Sequence, residues 1–223
     1  MTKRDTVWPY WRGIAIGETG PLFSGKWNGK VYKTDKIENG FMSDYERIFA
    51  PFREHAVRLL EIGVAYGGSC ELWSDFFSHP DARVIGLDLA LPDLMEDQHA
   101  NSRVTLHKCD QNDSEGLRAI ASRYGPFDIV IDDGRHRYAE TLNCYRHLVD
   151  YVRAGGYYVI EDWGVGYWPD RQHIFGDRSG KTMVTLITDI MHSIPKAPIS
   201  GYEVILDTNK CLSFFKKGAP WRG

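Results

Sequence analysis

VRLLEIGVAYGGS, residues 57–69, is the stretch on which the fold turns. An apolar run from Val57 to Ile62 stops at Gly63, a turn containing Tyr66, Gly67 and Gly68 follows, and residues 68–78 then have the length of a helix. Glycines in such a turn let the backbone bend sharply and approach a ligand with no Cβ in the way. The helix start behind them offers unpaired N–H groups and a positive dipole end. Downstream the rhythm recurs: RVIGLDLA (83–90), VTLH (104–107), FDIVIDD (127–133) and GYYVIED (156–162) are short apolar runs, with helical lengths at 114–124 and 139–153. Strands alternating with helices predict a parallel sheet covered on both faces, because a parallel crossover needs about a dozen residues or more. The end of the chain differs. YEVILD (202–207), a two-residue TN turn and KCLSFFKK (210–217) predict an antiparallel hairpin. The expected fold is α/β and Rossmann-like, with a seven-stranded, mostly parallel sheet.

Upstream, FMSDYERIFAPFREH from Phe41 predicts a helix, with Tyr45, Ile48, Phe49 and Phe52 at i, i+3, i+4 and i+7, and Ser43 with Glu46 as a capping box. Residues 1–40 hold Trp8, Trp11 and Trp27 among several glycines and little periodicity. They are read as an aromatic-rich arm, a lid or an oligomer contact, ahead of one domain at 41–223. The 223 residues carry 27 basic and 30 acidic side chains, net charge -3, which gives no electrostatic case for nucleic acid or a membrane surface. No apolar run approaches the roughly 20 residues of a membrane span, and the polar start MTKRDTVWPY is not a signal peptide. Cys70, Cys109, Cys144 and Cys211 are dispersed, as free thiols in a reducing cytoplasm would be.

Acidic residues end successive strands. Glu61 precedes the glycine turn, where it would repel a pyrophosphate and suit the amino group of a methionine moiety. Asp88 ends the second strand, where a carboxylate can accept both ribose hydroxyls, and Asp110-Gln111 follow the third, within reach of an adenine edge. Together they point to an adenosyl ligand without phosphate, S-adenosylmethionine, on the class I methyltransferase plan. Asp132-Asp133-Gly134-Arg135-His136 and Glu161-Asp162 follow the next two strands, expected neighbours roughly 4.8 Å apart. So many carboxylates at one edge would repel and raise one another's pKa unless a hard cation sat among them. Asp133, Glu161 and Asp162 are therefore assigned to Mg²⁺ (or Mn²⁺). Asp132, nearer the glycine turn, is expected to face the cofactor. His136 is the expected general base, taking a proton from a metal-chelated hydroxyl.

EIGVAYGGSCELW, CDQND, FDIVIDDGRH, GGYYVIED and GYWPD, as an ordered set, resemble the metal-dependent macrolide-sugar O-methyltransferases of the macrocin and mycinamicin group. They also resemble the cephalosporin-hydroxylase-like and rhamnosyl O-methyltransferase proteins. YKTDK (32–36) resembles a segment that precedes the core there. The resemblance implies Mg²⁺ at Asp133, Glu161 and Asp162, His136 as base, and S-adenosylmethionine contacts near Glu61, Gly63, Ser69, Asp88, Asp110 and Gln111. Arg135 stands where the group has serine, and Gly166-Tyr167-Trp168 where it has Ser-Tyr-Trp. The expected reaction is methyl transfer to a sugar hydroxyl of a natural-product glycoside or a nucleotide sugar, by a cytoplasmic homo-oligomer. Trp163, Tyr167 and Trp168 would wall the acceptor. A catechol-type methyltransferase and a non-catalytic cofactor-binding partner subunit are the alternatives.

Overall fold

The computed structural model of the chain describes residues 24–65, 67–91, 102–167, 180–193, 199–200 and 203–220. Its first elements are an antiparallel hairpin, β1 (Gly25–Trp27) and β2 (Lys30–Tyr32), and helix α1 (Met42–Phe49). Asn28 and Gly29 close the hairpin at φ 48° and 86°, the left-handed pair a tight two-residue turn requires. That Asn-Gly signal lies inside the segment expected to be irregular. Trp8 and Trp11 lie outside the described residues.

The apolar runs form β3 (Arg58–Ile62), β4 (Arg83–Asp88), β5 (Val104–Lys108), β6 (Phe127–Asp132) and β7 (Val152–Ile160). Between them lie α2 (Gly68–Phe76), α3 (Ser114–Tyr124) and α4 (Tyr138–Leu148). Helix α5 (Met183–Ser193), the two-residue strand β8 (Ile199–Ser200), β9 (Glu203–Asp207), β10 (Leu212–Lys216) and β11 (Ala219–Pro220) complete the order. The seven-stranded sheet runs β5-β4-β3-β6-β7-β10-β9, parallel from β5 to β7, with β10 antiparallel to both neighbours. The expected fold class holds. No helix among the described residues is long and apolar enough to cross a membrane.

Alternation along the strands sends side chains into two cores. One face packs Leu59, Ile129, Ile131, Val159 and Phe214 against α1, α2 and the hairpin, an aromatic layer in which Tyr45, Phe49, Trp73 and Phe76 are fully buried. Burying each such side chain stabilises the fold by on the order of 1.5–3 kcal/mol. Trp27 joins that layer, stacking on Phe76 at 5.7 Å and donating its indole N–H to Glu46 Oε1 at 2.7 Å. The other face packs Leu60, Ile62, Val130 and Tyr158 against Leu117, Leu148 and the stripe Met183, Leu186, Ile187 and Ile190 of α5. That stripe has helical spacing, a signal the strand-centred reading passed over.

Three local expectations fail. The capping box is absent: the N-cap of α1 is Phe41, with no side-chain cap, Ser43 Oγ donates to the Gly40 carbonyl, and Glu46 is engaged by Trp27. The terminal hairpin pairs Leu212 with Asp207, so its connection is the four residues 208–211, closed by Cys211 at φ 53°. The helix expected over 139–153 ends at Leu148, and after a 3-10 turn at 149–151 the chain is already β7.

Candidate active site

The same alternation sorts the strand-end acids. Glu61 follows Leu59 on the aromatic face of β3, and Asp133 and Glu161 continue the Ile129-Ile131 and Tyr157-Val159 rows of β6 and β7. The ladder runs one step past the strands: the Asp133 N–H donates to the Ile62 carbonyl at 2.9 Å and the Glu161 N–H to the Asp132 carbonyl at 3.0 Å. Three carboxylates from three adjacent strands thus point into one buried space. Left-handed backbone at His136 (φ 52°) and Asp162 (φ 51°) then turns both side chains toward it. His136 Nε2 lies 4.0 Å from Asp133 Oδ1 and 3.8 Å from Asp162 Oδ2. Gly63, at φ 86°, lies directly against the Asp133 carbonyl, and any Cβ there would collide with it.

The cation among these acids is Lys36. Its ammonium donates to Asp133 Oδ2 and Glu161 Oε1, each at 2.7 Å, and forms an ion pair with Glu61 Oε1 at 3.1 Å. The Lys36 and Glu61 side chains are wholly buried. Ser69 Oγ donates to the other Glu61 oxygen at 2.7 Å, and the Tyr45 hydroxyl donates to Glu161 Oε1. Gly68 is what lets the segment in, because the Lys33 carbonyl lies where a Cβ on Gly68 would stand. Lys36 and Tyr45 are site residues that sequence reasoning did not single out. Tyr45 is hidden because it occupies an ordinary core position of α1.

The other half of the strand-end edge is open. A cavity of about 450 Å³ extends over Gly63, Asp88, Leu89, Asp110 and Gln111 to Asp133 and Arg135, within the size range of cofactor clefts. Asp88 accepts from the Ala65 N–H at 2.8 Å and the Ala90 N–H at 2.9 Å, which fixes the turn and the wall. Asp110 Oδ1 accepts from the Asn112 N–H at 2.8 Å. Gln111 spends its amide on the frame: Nε2 donates to Asp132 at 3.1 Å and Oε1 accepts from the Arg135 N–H at 2.8 Å. Asp132 faces the second core, where Tyr158 also donates to it at 3.3 Å, and it is not part of the cavity lining. Glu61 and Ser69 likewise lie behind the turn rather than in the cavity wall. Tyr66 and Trp168 lie outside the described residues, and Trp163 packs against the second core.

Burial shifts the proton affinities of the enclosed groups. Burial, and then the neighbouring Glu161, push Asp133 well above the ordinary carboxylate range, with Lys36 opposing. Burial lifts Glu161 to about 7 against the pull of Lys36 and Tyr45, and burial with Asp35 and Glu161 raises Asp162. Asp132 is lifted to about 7 by burial, against hydrogen bonds from Gly134, Tyr158 and Gln111. Burial alone would discharge Lys36, but Asp133, Glu161 and Glu61 outweigh it and hold the ammonium charged. Burial, helped by Lys36, lowers His136 to about 4, so its imidazole is neutral near pH 7.

The donor set suits a magnesium-class ion. Asp133, His136 and Asp162 bring ligand atoms within 4.8 Å of one another, and so do Glu61, Asp133 and Glu161. Glu161 Oε2 is buried and has no hydrogen-bond partner among the described residues. Carboxylate oxygens with one orphaned among them have the chemistry to hold a hard divalent cation, but the expected trio Asp133, Glu161 and Asp162 is split between these two groups, which share Asp133.

Residues 60–163 match a methyltransferase domain. The chain is 40% identical over 173 residues to the mycinamicin VI 2''-O-methyltransferase of Micromonospora griseorubida, covering 71% of this chain and 41% of that protein. It is 41% identical over 136 residues to the demethylmacrocin O-methyltransferase of Streptomyces fradiae, covering 58% and 33%. Among solved structures it is similar to the MycE methyltransferase of the mycinamycin pathway in complex with Mg, SAH and mycinamycin VI. The TM-score is 0.66 at 36% identity, over 82% of this chain and 50% of that one. The chain thus spans half or less of the length of each of these relatives.

Proposed function

We propose that the chain is a Mg²⁺-dependent O-methyltransferase, because residues 60–163 match a methyltransferase domain and the chain is similar to antibiotic-sugar O-methyltransferases. The methyl donor is S-adenosylmethionine and the acceptor a sugar hydroxyl of a natural-product glycoside or nucleotide sugar. The observation that carries this reading is the convergence of Asp133, His136 and Asp162 at the end of a cavity whose wall holds Asp88. Asp133, Glu161 and Asp162 would hold the metal, which when bound supplies Lewis-acid chelation of neighbouring hydroxyls and lowers a hydroxyl pKa. Asp88 would receive the ribose, and the Gly63 turn would let the cofactor approach the backbone.

His136 Nε2, neutral at working pH, takes the hydroxyl proton. The imidazolium that forms lies within 4.0 Å of two carboxylates, which stabilise it as the transfer proceeds. Methyl transfer needs no protein nucleophile; the site's task is to align oxygen, methyl carbon and sulfur in line. Four free cysteines support a cytoplasmic setting. A homo-oligomer belongs to the same reading, and so does the expected lid, although Trp27, Tyr32 and Lys36 of the segment 1–40 are packed into the domain. Deleting residues 1–23 should lower acceptor turnover more than cofactor affinity, and solution mass reports the subunit count.

The deciding experiment is methyl transfer to a panel of glycosides and nucleotide sugars with and without EDTA. Activity should vanish on chelation and return with Mg²⁺, and should be lost in Asp133→Asn while S-adenosylhomocysteine still binds within a few-fold. Full activity in EDTA would exclude the metal role. Transfer to catechols alone would replace the sugar acceptor.

A further inference from the structure

Two cation cages adjoin at the strand ends and share Asp133: Asp133 with His136 and Asp162, and Glu61 with Asp133 and Glu161. The second is already filled, by an ammonium tethered to the chain. We propose that Lys36 is a positioning residue whose Nζ permanently occupies the Glu61/Asp133/Glu161 cage, so that the centre accepts one divalent ion and not two. This rests on the metal-dependent reading given above and adds to it the cation count of the site.

The geometry assigns each carboxylate oxygen a side. Lys36 holds Asp133 Oδ2 and Glu161 Oε1 at 2.7 Å. Asp133 Oδ1 is left facing His136, and Glu161 Oε2 is left without a hydrogen-bond partner among the described residues. The tethered ammonium therefore spends one oxygen of Asp133, the carboxylate the two cages share, and leaves the other toward the first cage. It also sets the charge. Glu61, Asp133, Glu161 and Asp162 carry four formal negative charges when ionised. One lysine, one divalent ion and the sulfonium of the cofactor balance them; with S-adenosylhomocysteine, which has no sulfonium, two divalent ions balance them once Lys36 is gone. An ion–oxygen distance of about 2.0–2.6 Å is shorter than the ammonium contacts, so a metal replacing Lys36 would draw the cage in by roughly half an ångström. Side chains on three strand ends can absorb that.

Counting bound Mn²⁺ by electron paramagnetic resonance, on the full chain saturated with S-adenosylhomocysteine, tests this without reference to turnover. The native chain should bind one Mn²⁺. Lys36→Ala should bind two, and Lys36→Ala combined with Glu61→Gln, which removes a wall of the vacated cage, should return to one. A folded Lys36→Ala that binds one Mn²⁺ with unchanged affinity overturns the proposal and leaves the metal-dependent reading standing. A native chain that binds none overturns that reading instead. If Lys36→Ala does not fold in metal-free buffer, millimolar Mn²⁺ should restore a cooperative melt, because the ion replaces the lost charge. A chain still unfolded in Mn²⁺ also overturns the proposal.

Discussion

The strand-end edge divides into a wet half and a dry half built from the same residue type. At β4 and β5 the acids Asp88 and Asp110 line an open cavity and serve the loops through backbone N–H groups. At β3, β6 and β7 the acids Glu61, Asp133 and Glu161 share one buried lysine, and burial with a neighbouring carboxylate raises the proton affinity of Asp133 and Glu161. The difference teaches that a carboxylate at a strand end is not a role in itself. Burial and the face of the sheet decide whether it receives a ligand's hydroxyls or holds a cation.

The comparison breaks most easily at the dry half. His136→Ala should lower methyl transfer by roughly 10²–10⁴-fold, the usual range for a lost general base, with S-adenosylhomocysteine affinity nearly unchanged by calorimetry. If activity survives intact, the dry half holds no base. Next comes stability. Lys36→Met removes one partner of a buried ion cluster, which costs about 3–5 kcal/mol, so metal-free urea melts should shift strongly to lower denaturant. A shift no larger than that of a surface lysine variant would mean the cluster is wetter than described.

How much of this was legible follows the same division. The wet half needed only strand ends and spacing, and Asp88 and Asp110 line the cavity where a ligand would be expected. In the dry half the acids were legible as a cluster, but their facing was not. Asp132 was expected toward the cofactor, yet alternation along β6 sends it to the second core, one step out of phase with Asp133. The role of Lys36 was not legible. Lys36 is one of several charged residues in a segment without periodicity, marked only as the end of the YKTDK stretch, and its two hydrogen-bonded carboxylates lie 97 and 125 residues away. Only assembly of the tertiary fold brings that contact about.

The wet half supplies the third test. Asp88→Ala should weaken cofactor binding roughly 10–100-fold, the worth of a hydrogen-bonded charge, and leave Mn²⁺ stoichiometry untouched. A change in metal count would join the two halves into one unit. The smallest effect belongs to a surface acid outside both. Burial pushes Asp75 up, but hydrogen bonds from Lys30 and Tyr32 outweigh it and hold its carboxyl below the ordinary 3.8. A lowered folded value means that its contribution is fully present above pH 3.8 and fades as pH falls through the folded value. Acid-induced unfolding of Asp75→Asn should therefore show a slightly flatter limb below that pH, and an identical limb would show the pair to be inert.

The contact between Gly68 and the Lys33 carbonyl has a consequence for the order in which the molecule is made. Lys36 leaves the ribosome well before β6 and β7, and of its three carboxylates only Glu61 follows soon; Asp133 and Glu161 come much later. The segment Lys33–Lys36, an amino-terminal strap, therefore has to wait for Asp133 and Glu161, and its docking closes long loops, an entropic cost that grows only slowly with length. Until then the sheet carries acids that nothing neutralises. The nascent domain should remain open to proteases at the strap up to the moment β7 joins β6, and become resistant in a single late step.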